Sequence, residues 1–146
     1  MKSFKGRAIA SGYYKGEAVV SHQGVNTLAT FQSSVLKNAK EVIVSDQNNP
    51  DIYGVNITGK ALCLPITIGS TTGGLVIQTV CSMNSNPACF LFSEHIDSLA
   101  ASGIVLSTVW EHSKVIAIDQ LGKEFLNAVK TGDIIEVLND GTVNIL

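Results

Sequence analysis

Short apolar runs, each bounded by polar or glycine-containing residues, characterise the first half of the chain. Runs of this length and composition indicate strands. The predicted strands lie at residues 6–10, 16–20, 42–45 and 61–64. A turn at 11–16 separates the first two, the polar segment 46–51 follows the third, and Pro65 ends the fourth. Residues 21–41 show no clear period.

The second half alternates between a helical and a strand period. Apolar residues in 75–83 recur at three- and four-residue spacing, which predicts a helix. The polar pair Asp97-Ser98 is typical of the N-cap of a helix over 99–110. The other predicted elements are strands at 88–92 and 114–118, a short helix at 125–129, and strands at 133–138 and 142–146. Asp140-Gly141 between the last two strands predicts a β-hairpin.

This order of elements predicts a single α/β domain over residues 1–146, with a mixed sheet or a β/β/α sandwich and a C-terminal β-hairpin. Hydrophobic residues make up 45% of the chain and charged residues 15%, which excludes a disordered protein. A formal charge of −2 argues against a nucleic-acid or anionic-membrane partner. The chain has neither a long apolar run nor a secretory signal, so we expect a cytoplasmic protein that does not span a membrane.

The three cysteines, Cys63, Cys81 and Cys89, each lie within an apolar run. Their spacings match no zinc or iron–sulfur motif. We therefore expect buried, reduced thiols and no metal site in this chain.

The candidate site is the segment Gly69-Ser70-Thr71-Thr72-Gly73, where a predicted strand gives way to a helix. Glycines let the backbone approach a ligand closely, and the free N–H groups of a helix start attract an anion. The three hydroxyls can bind a ligand or react, and simple helix capping is an equally good interpretation. The segment lacks the lysine of a P-loop and the glycine spacing of a dinucleotide site. A small carboxylate is therefore favoured over a nucleotide as ligand.

A helix start alone does not make Ser70 a base. It contributes at most about 2 kcal/mol to an adjacent anion, which lowers a serine pKa by only about 1.5. The histidines, His22, His95 and His112, are distant from the segment in sequence and would have to fold against it. A basic serine therefore needs further cationic or N–H support, for which a partner subunit is the natural source.

Several motifs occur in the order expected of one protein family. They are Gly6-Arg7-Ala8, Gly16-Glu17-Ala18, Asp46 with Asn49-Pro50, Ile57-Thr58-Gly59-Lys60, Leu64-Pro65, Gly69-Ser70-x-x-Gly73, Pro87-Ala88, Glu94-x-x-Asp97 and Gly103-Ile104-Val105. With these residues the chain resembles the small, swivelling-domain subunit of aconitase X enzymes over most of residues 6–118.

The resemblance implies a swivelling β/β/α domain that is active only with a large subunit, whose cysteines hold an iron–sulfur cluster. It implies that Ser70 is the proton acceptor of a dehydration in which cluster iron polarises the departing hydroxyl. It makes Gly69, Thr71, Thr72 and Gly73 the candidate substrate-binding residues, with a small hydroxy acid as substrate.

Two departures from the family pattern bear on the substrate. Members that act on phosphomevalonate typically carry an arginine two residues before the serine, where this chain has Ile68. Loss of a bidentate phosphate-binding group argues against a phosphorylated substrate. The usual Gly-Gly-Val-Asp-Pro segment is also missing, with residues 33–37 in its neighbourhood. We therefore expect cis-3-hydroxy-L-proline as the substrate, with phosphomevalonate as the alternative.

Other interpretations stay open. A phosphohistidine-carrier domain is disfavoured because it needs a histidine just after its loop, and Gly74 is followed directly by Leu-Val-Ile-Gln-Thr. A non-catalytic scaffold or regulatory module fits the missing upstream segment. Asp46, Asn48 and Asn49 are expected either to line a substrate cleft or to form a solvated turn. Glu94 and Asp97 are expected to be a surface charge and a helix cap rather than catalysts.

Overall fold

A computed structural model of the chain describes residues 1–69, 73–109 and 112–146. Within these ranges the chain forms ten strands and four helices. The strands are β1 (Lys2–Lys5), β2 (Arg7–Ala10), β3 (Tyr14–Val20), β4 (Val25–Asn26), β5 (Ala61–Leu64), β6 (Thr67–Ile68), β7 (Cys89–Phe92), β8 (Ile116–Asp119), β9 (Ile134–Val137) and β10 (Thr142–Ile145). The helices are α1 (Thr27–Leu36), α2 (Gly73–Ser82), α3 (Ser98–Val109) and α4 (Lys123–Ala128).

Eight of the strands form one mixed sheet in the order β1-β10-β9-β3-β5-β7-β8-β2. The central strands β3, β5, β7 and β8 run parallel to one another. The C-terminal strands β9 and β10 pair antiparallel, with Val137 opposite Val143, which confirms the predicted hairpin. The predicted α/β class with a mixed sheet is also confirmed.

The two edge strands of this sheet, β1 and β2, are separated in sequence only by Gly6. Three consecutive residues span at most about 7 Å, so the two edges must meet at Gly6. The Gly6 N–H donates to the carbonyl of Gly141 at 3.1 Å. A Cβ at Gly6 would lie 2.3 Å from the carbonyl oxygen of Asp119, so a side chain has no room there. The sheet therefore curls round until its edges adjoin.

Strands β5, β7 and β8 are buried on both faces, as expected when other elements cover a parallel sheet. Alternate residues such as Leu62 and Phe90 pack in a core under helices α1 to α3. The residues between them, such as Cys63 and Leu91, pack in a second core with Phe125 of α4. None of the four helices in the described ranges is long and apolar enough to cross a lipid bilayer.

The sequence-based prediction was wrong for one strand and missed one helix. Residues 42–45 form only an isolated bridge, Ile43 to Asn56, because they pair with the following loop instead of the sheet. Helix α1 lies in the segment that had no clear period. Its period is hidden because three of its four buried residues are polar, namely Thr27, Thr30 and Ser34. Strand β1 was also missed, and β8 begins two residues later than predicted.

Candidate functional site

The candidate segment begins at a short parallel ribbon beside the main sheet. Strand β6 pairs with β4, with Val25 opposite Thr67 and Asn26 opposite Ile68. Helix α1 begins immediately after β4, so this pairing holds the residues before Ser70 against the start of α1. The ribbon therefore fixes where the candidate segment leaves the described part of the fold.

Three helix starts lie close to this segment. The Asn26 side chain caps α1 by accepting from the Ala29 N–H at 3.0 Å. Asp97 caps α3 in the same way, accepting from the Ala100 N–H at 2.9 Å. Helix α2 begins at Gly73, at the other end of the segment. Unpaired N–H groups at helix starts carry partial positive charge, so the neighbourhood is suited to an anion.

The first turns of α1 and α3 line one surface cavity of about 240 Å³. Its lining residues are Thr27, Thr67, Ile68, Gly69, Asp97, Leu99 and Ala100. The Thr67 hydroxyl donates to Oδ2 of Asp97, which ties β6 to the start of α3. Among the lining residues that the structure describes, Asp97 carries the only charge. The cavity thus combines two threonine residues and one carboxylate at the starts of two helices.

Gly69 is the last described residue before the candidate serine, and its backbone requires glycine. Its φ is +105°, a conformation that side-chain-bearing residues rarely adopt. A Cβ there would lie 2.8 Å from Nδ2 of Asn26. Chain direction and the close approach of the α1 cap therefore both depend on the absence of a side chain.

Two glycines hold the start of α2 against α3. A Cβ at Gly74 would lie 2.3 Å from the carbonyl oxygen of Leu99, and a Cβ at Gly103 would lie 2.3 Å from the carbonyl oxygen of Gly74. The two backbones are thus in direct contact where α2 begins. This contact fixes the C-terminal end of the candidate segment.

An ion pair between a buried carboxylate and a half-exposed arginine supports the segment that carries Asp97. Asp119, at the end of β8, is fully buried and accepts two hydrogen bonds from Arg7, at 3.1 Å from Nε and 2.8 Å from Nη2. It also accepts from the Ile96 N–H at 2.9 Å. Burial acts to raise the pKa of Asp119, but the hydrogen bonds from Arg7 and Ile96 outweigh it and hold that pKa below its ordinary value. The charged form of Asp119 therefore anchors the loop before α3.

The predicted catalytic residue Ser70 and the predicted binding residues Thr71 and Thr72 lie outside the described residues. The flanking residues are placed as predicted, with Gly69 after β6 and Gly73 as the first residue of α2.

Two expectations for the remaining polar residues are confirmed and one is corrected. Asp97 is a helix cap and Glu94 is exposed. Asn49 is not part of a solvated turn, because it is buried and its amide donates to the Ser21 hydroxyl at 3.0 Å. Neither Asn49 nor any of the described histidines lines the cavity.

Sequence reasoning missed Asn26, Thr27 and Thr67 as neighbours of the candidate segment. An Asn-Thr pair at a helix start is a recognisable capping signal, so the role of Asn26 could have been predicted from the sequence. No local signal marks Thr67, since its place depends on a two-residue strand pairing.

The cysteines are buried thiols that form no disulfide, as predicted. Burial raises the pKa of Cys63 and of Cys89, which disfavours the thiolate that a metal requires. Across residues 1–69, 73–109 and 112–146, no group of three or more His, Cys, Asp or Glu side chains could hold a metal ion. The described residues of this chain thus do not fit an iron–sulfur cluster.

Comparison with known proteins agrees with this geometry. The sequence model of the aconitase X swivel domain matches residues 3–145. Two relatives are both named phosphomevalonate dehydratase small subunit. The one from Pyrococcus furiosus is 32% identical over 72% of each chain. The one from Methanosarcina mazei is 26% identical over 92% of this chain and 83% of that one. The crystal structure of Thermococcus kodakaraensis aconitase X in its holo form superposes with a TM-score of 0.82 at 28% identity, covering 100% of this chain and 99% of that one. The chain therefore belongs to the aconitase X swivel domain family.

Proposed function

We propose that this chain is the small subunit of an aconitase X-type dehydratase, which works with a large subunit to eliminate water from a small hydroxy acid. The observation that carries the proposal is the family match over residues 3–145, combined with a glycine-flanked serine segment that leads into α2 beside a cavity. The cavity, at about 240 Å³, is below the roughly 300–1,000 Å³ usual for small-molecule sites. That size fits a site whose remaining wall belongs to a second chain.

In the proposed reaction Ser70 takes the proton from the carbon adjacent to the one that bears the hydroxyl. The C–H electron pair forms the new double bond, the hydroxyl leaves from the neighbouring carbon, and the proton that Ser70 has taken is passed on to that hydroxyl, so that one water is released and Ser70 is regenerated. The N–H groups at the start of α1 that Asn26 leaves free attract the substrate carboxylate. The family resemblance assigns the iron–sulfur cluster to the large subunit, so this chain contributes binding, orientation and the proton acceptor.

Phosphomevalonate is the first substrate to test, because the named relatives of this chain are phosphomevalonate dehydratase small subunits. The expectation of cis-3-hydroxy-L-proline has no support among those relatives. One structural observation keeps it as a second candidate. Ile68 and the carboxylate of Asp97 line the cavity, and among the described lining residues there is no cation for a phosphate. A carboxylate would instead attract the ammonium of an amino acid.

The test is to produce the chain together with the large subunit of the same genome and to assay water elimination from both compounds. We expect Ser70→Ala to lower kcat by about 10²- to 10⁴-fold, the usual contribution of a general base. Ser82→Ala is the matched control, since that hydroxyl is exposed at the end of α2 and only donates to the Thr79 carbonyl. Full activity of Ser70→Ala would exclude the serine base. Inactivity of the wild-type pair on both compounds would exclude both substrates.

A further inference from the structure

Helices α2 and α3 carry no charged residue at all. The whole stretch from 61 to 93 contains no Asp, Glu, Lys, Arg or His, although it includes α2. Helices on the surface of a globular protein normally carry charged residues on their solvent side. The lack of charge on two adjacent helices therefore requires an explanation.

Helix α3 is apolar on both its inner and its outer face. The inner face buries Ala100, Gly103, Ile104 and Ser107 against the rest of the domain. The outer face exposes Leu99 (45%), Val105 (43%), Leu106 (40%) and Val109 (62%). An uncharged helix with apolar residues on both faces is normally buried, which this chain alone does not achieve for α3.

The exposed apolar surface continues to the candidate segment. Leu99 belongs both to the outer face of α3 and to the cavity wall. Ile68, two residues before the candidate serine, is 48% exposed, and Leu75 in the first turn of α2 is 64% exposed. We call these residues the α2–α3 surface: Ile68, Leu75, Leu99, Val105, Leu106 and Val109.

We propose that the α2–α3 surface is the docking site for the large subunit. This inference rests on the proposed function, which requires a second chain to close over Ser70. A chain that completes the cavity at Leu99 must approach along this surface. Interface cores are depleted in charge and rich in apolar residues, which is the composition found here. Some exposed apolar residues elsewhere lie beside charged ones, as Leu36 does beside Lys37 and Ile134 beside Asp133.

The test compares Leu106→Glu with Leu36→Glu, since Leu36 is 77% exposed and lies outside the α2–α3 surface. Dissociation constants for the large subunit are measured by isothermal titration calorimetry with purified chains. We expect about 100-fold weaker binding for Leu106→Glu, as for a central interface residue, and a change within about twofold for Leu36→Glu. A thermal melt of each free variant shows whether the fold is kept, and Val109→Lys, nearer the end of α3, repeats the test if Leu106→Glu does not fold.

Three outcomes would overturn the inference. Unchanged binding of Leu106→Glu, with normal binding of the wild type, would overturn this inference alone and leave the proposed function intact. The free wild-type chain could instead form a dimer that Leu106→Glu dissociates, while binding to the large subunit is unaffected. That result would assign the surface to a second copy of this chain. Absence of binding between the wild-type chains would overturn the proposed function as well.

Discussion

The contact between the backbones of α2 and α3 makes a sharp prediction for Gly103→Ala. The added Cβ would lie 2.3 Å from the carbonyl oxygen and 2.7 Å from the Cα of Gly74. Ordinary van der Waals contact begins more than 1 Å further out, so α2 must move by about 1 Å at the turn that follows residues 70–72. Overpacking of this kind costs about 1–3 kcal/mol, and the better helix propensity of alanine returns about 0.5–1 kcal/mol. We expect a net loss of about 1–2 kcal/mol in the free energy of unfolding.

The assays are thermal denaturation of the chain and dehydratase activity of the assembled pair. The stability loss corresponds to a fall of roughly 2–8 °C in Tm for a domain of this size. A displacement of about 1 Å at a catalytic group can cost about 100-fold in rate, so we expect kcat to fall by up to that factor. Ser102→Ala, which changes the neighbouring exposed residue, is the control and should leave both values unchanged. A higher Tm for Gly103→Ala would refute the reasoning, because alanine stabilises a helix wherever it fits.

Three further predictions concern the backbone, the ion pair and the thiols. Gly69→Ala and Gly59→Ala should each lower the free energy of unfolding by about 1–3 kcal/mol, because both glycines have positive φ. Only Gly69→Ala should also lower kcat, because a Cβ at Gly69 meets Asn26 whereas Gly59 has open space around it. Equal activities would show that Asn26 does not constrain the segment. The native pKa of Asp119 is below the ordinary value of an aspartate, so its stabilising effect is complete above that ordinary value and is lost as the pH falls through the native pKa. Asp119→Asn should therefore be about 1–3 kcal/mol less stable at pH 7, with the gap closing in acid; parallel stability curves from pH 7 to pH 2 would contradict this. The thiols of Cys63, Cys81 and Cys89 are buried, so Ellman's reagent should react with them only when the chain unfolds. A rapid reaction of the native chain would show that at least one of these thiols is accessible.

Local signals predicted much of the fold. The apolar period of α2, the Asp97-Ser98 cap of α3 and the Asp140-Gly141 turn are each contained within a short stretch, and each produced the expected element. Helix α1 was missed because polar residues occupy its buried positions. The strand expected at 42–45 has the composition of a buried strand, yet its hydrogen bonds go to the adjacent loop.

The candidate site was predictable only in part. The glycine-rich segment is a sequence signal, and its flanking residues lie where expected. The cavity beside it joins Thr27, Thr67 and Asp97, which are far apart in the chain and are brought together by the β4–β6 pairing and by the hydrogen bond to Asp97. The pairing of Arg7 with Asp119 spans almost the whole chain and has no local signature.

The single residue between β1 and β2 has a consequence for how the protein behaves at high concentration. An open sheet offers two edges whose unpaired N–H and C=O groups can recruit strands of other molecules, which is the usual start of aggregation. Here the two edges are four-residue strands that adjoin at Gly6, so neither is long enough to act as a template. A larger residue at this position would force the edges apart and open a continuous row of unpaired backbone groups. Solubility during expression therefore depends on a glycine that lies far from the candidate segment in sequence.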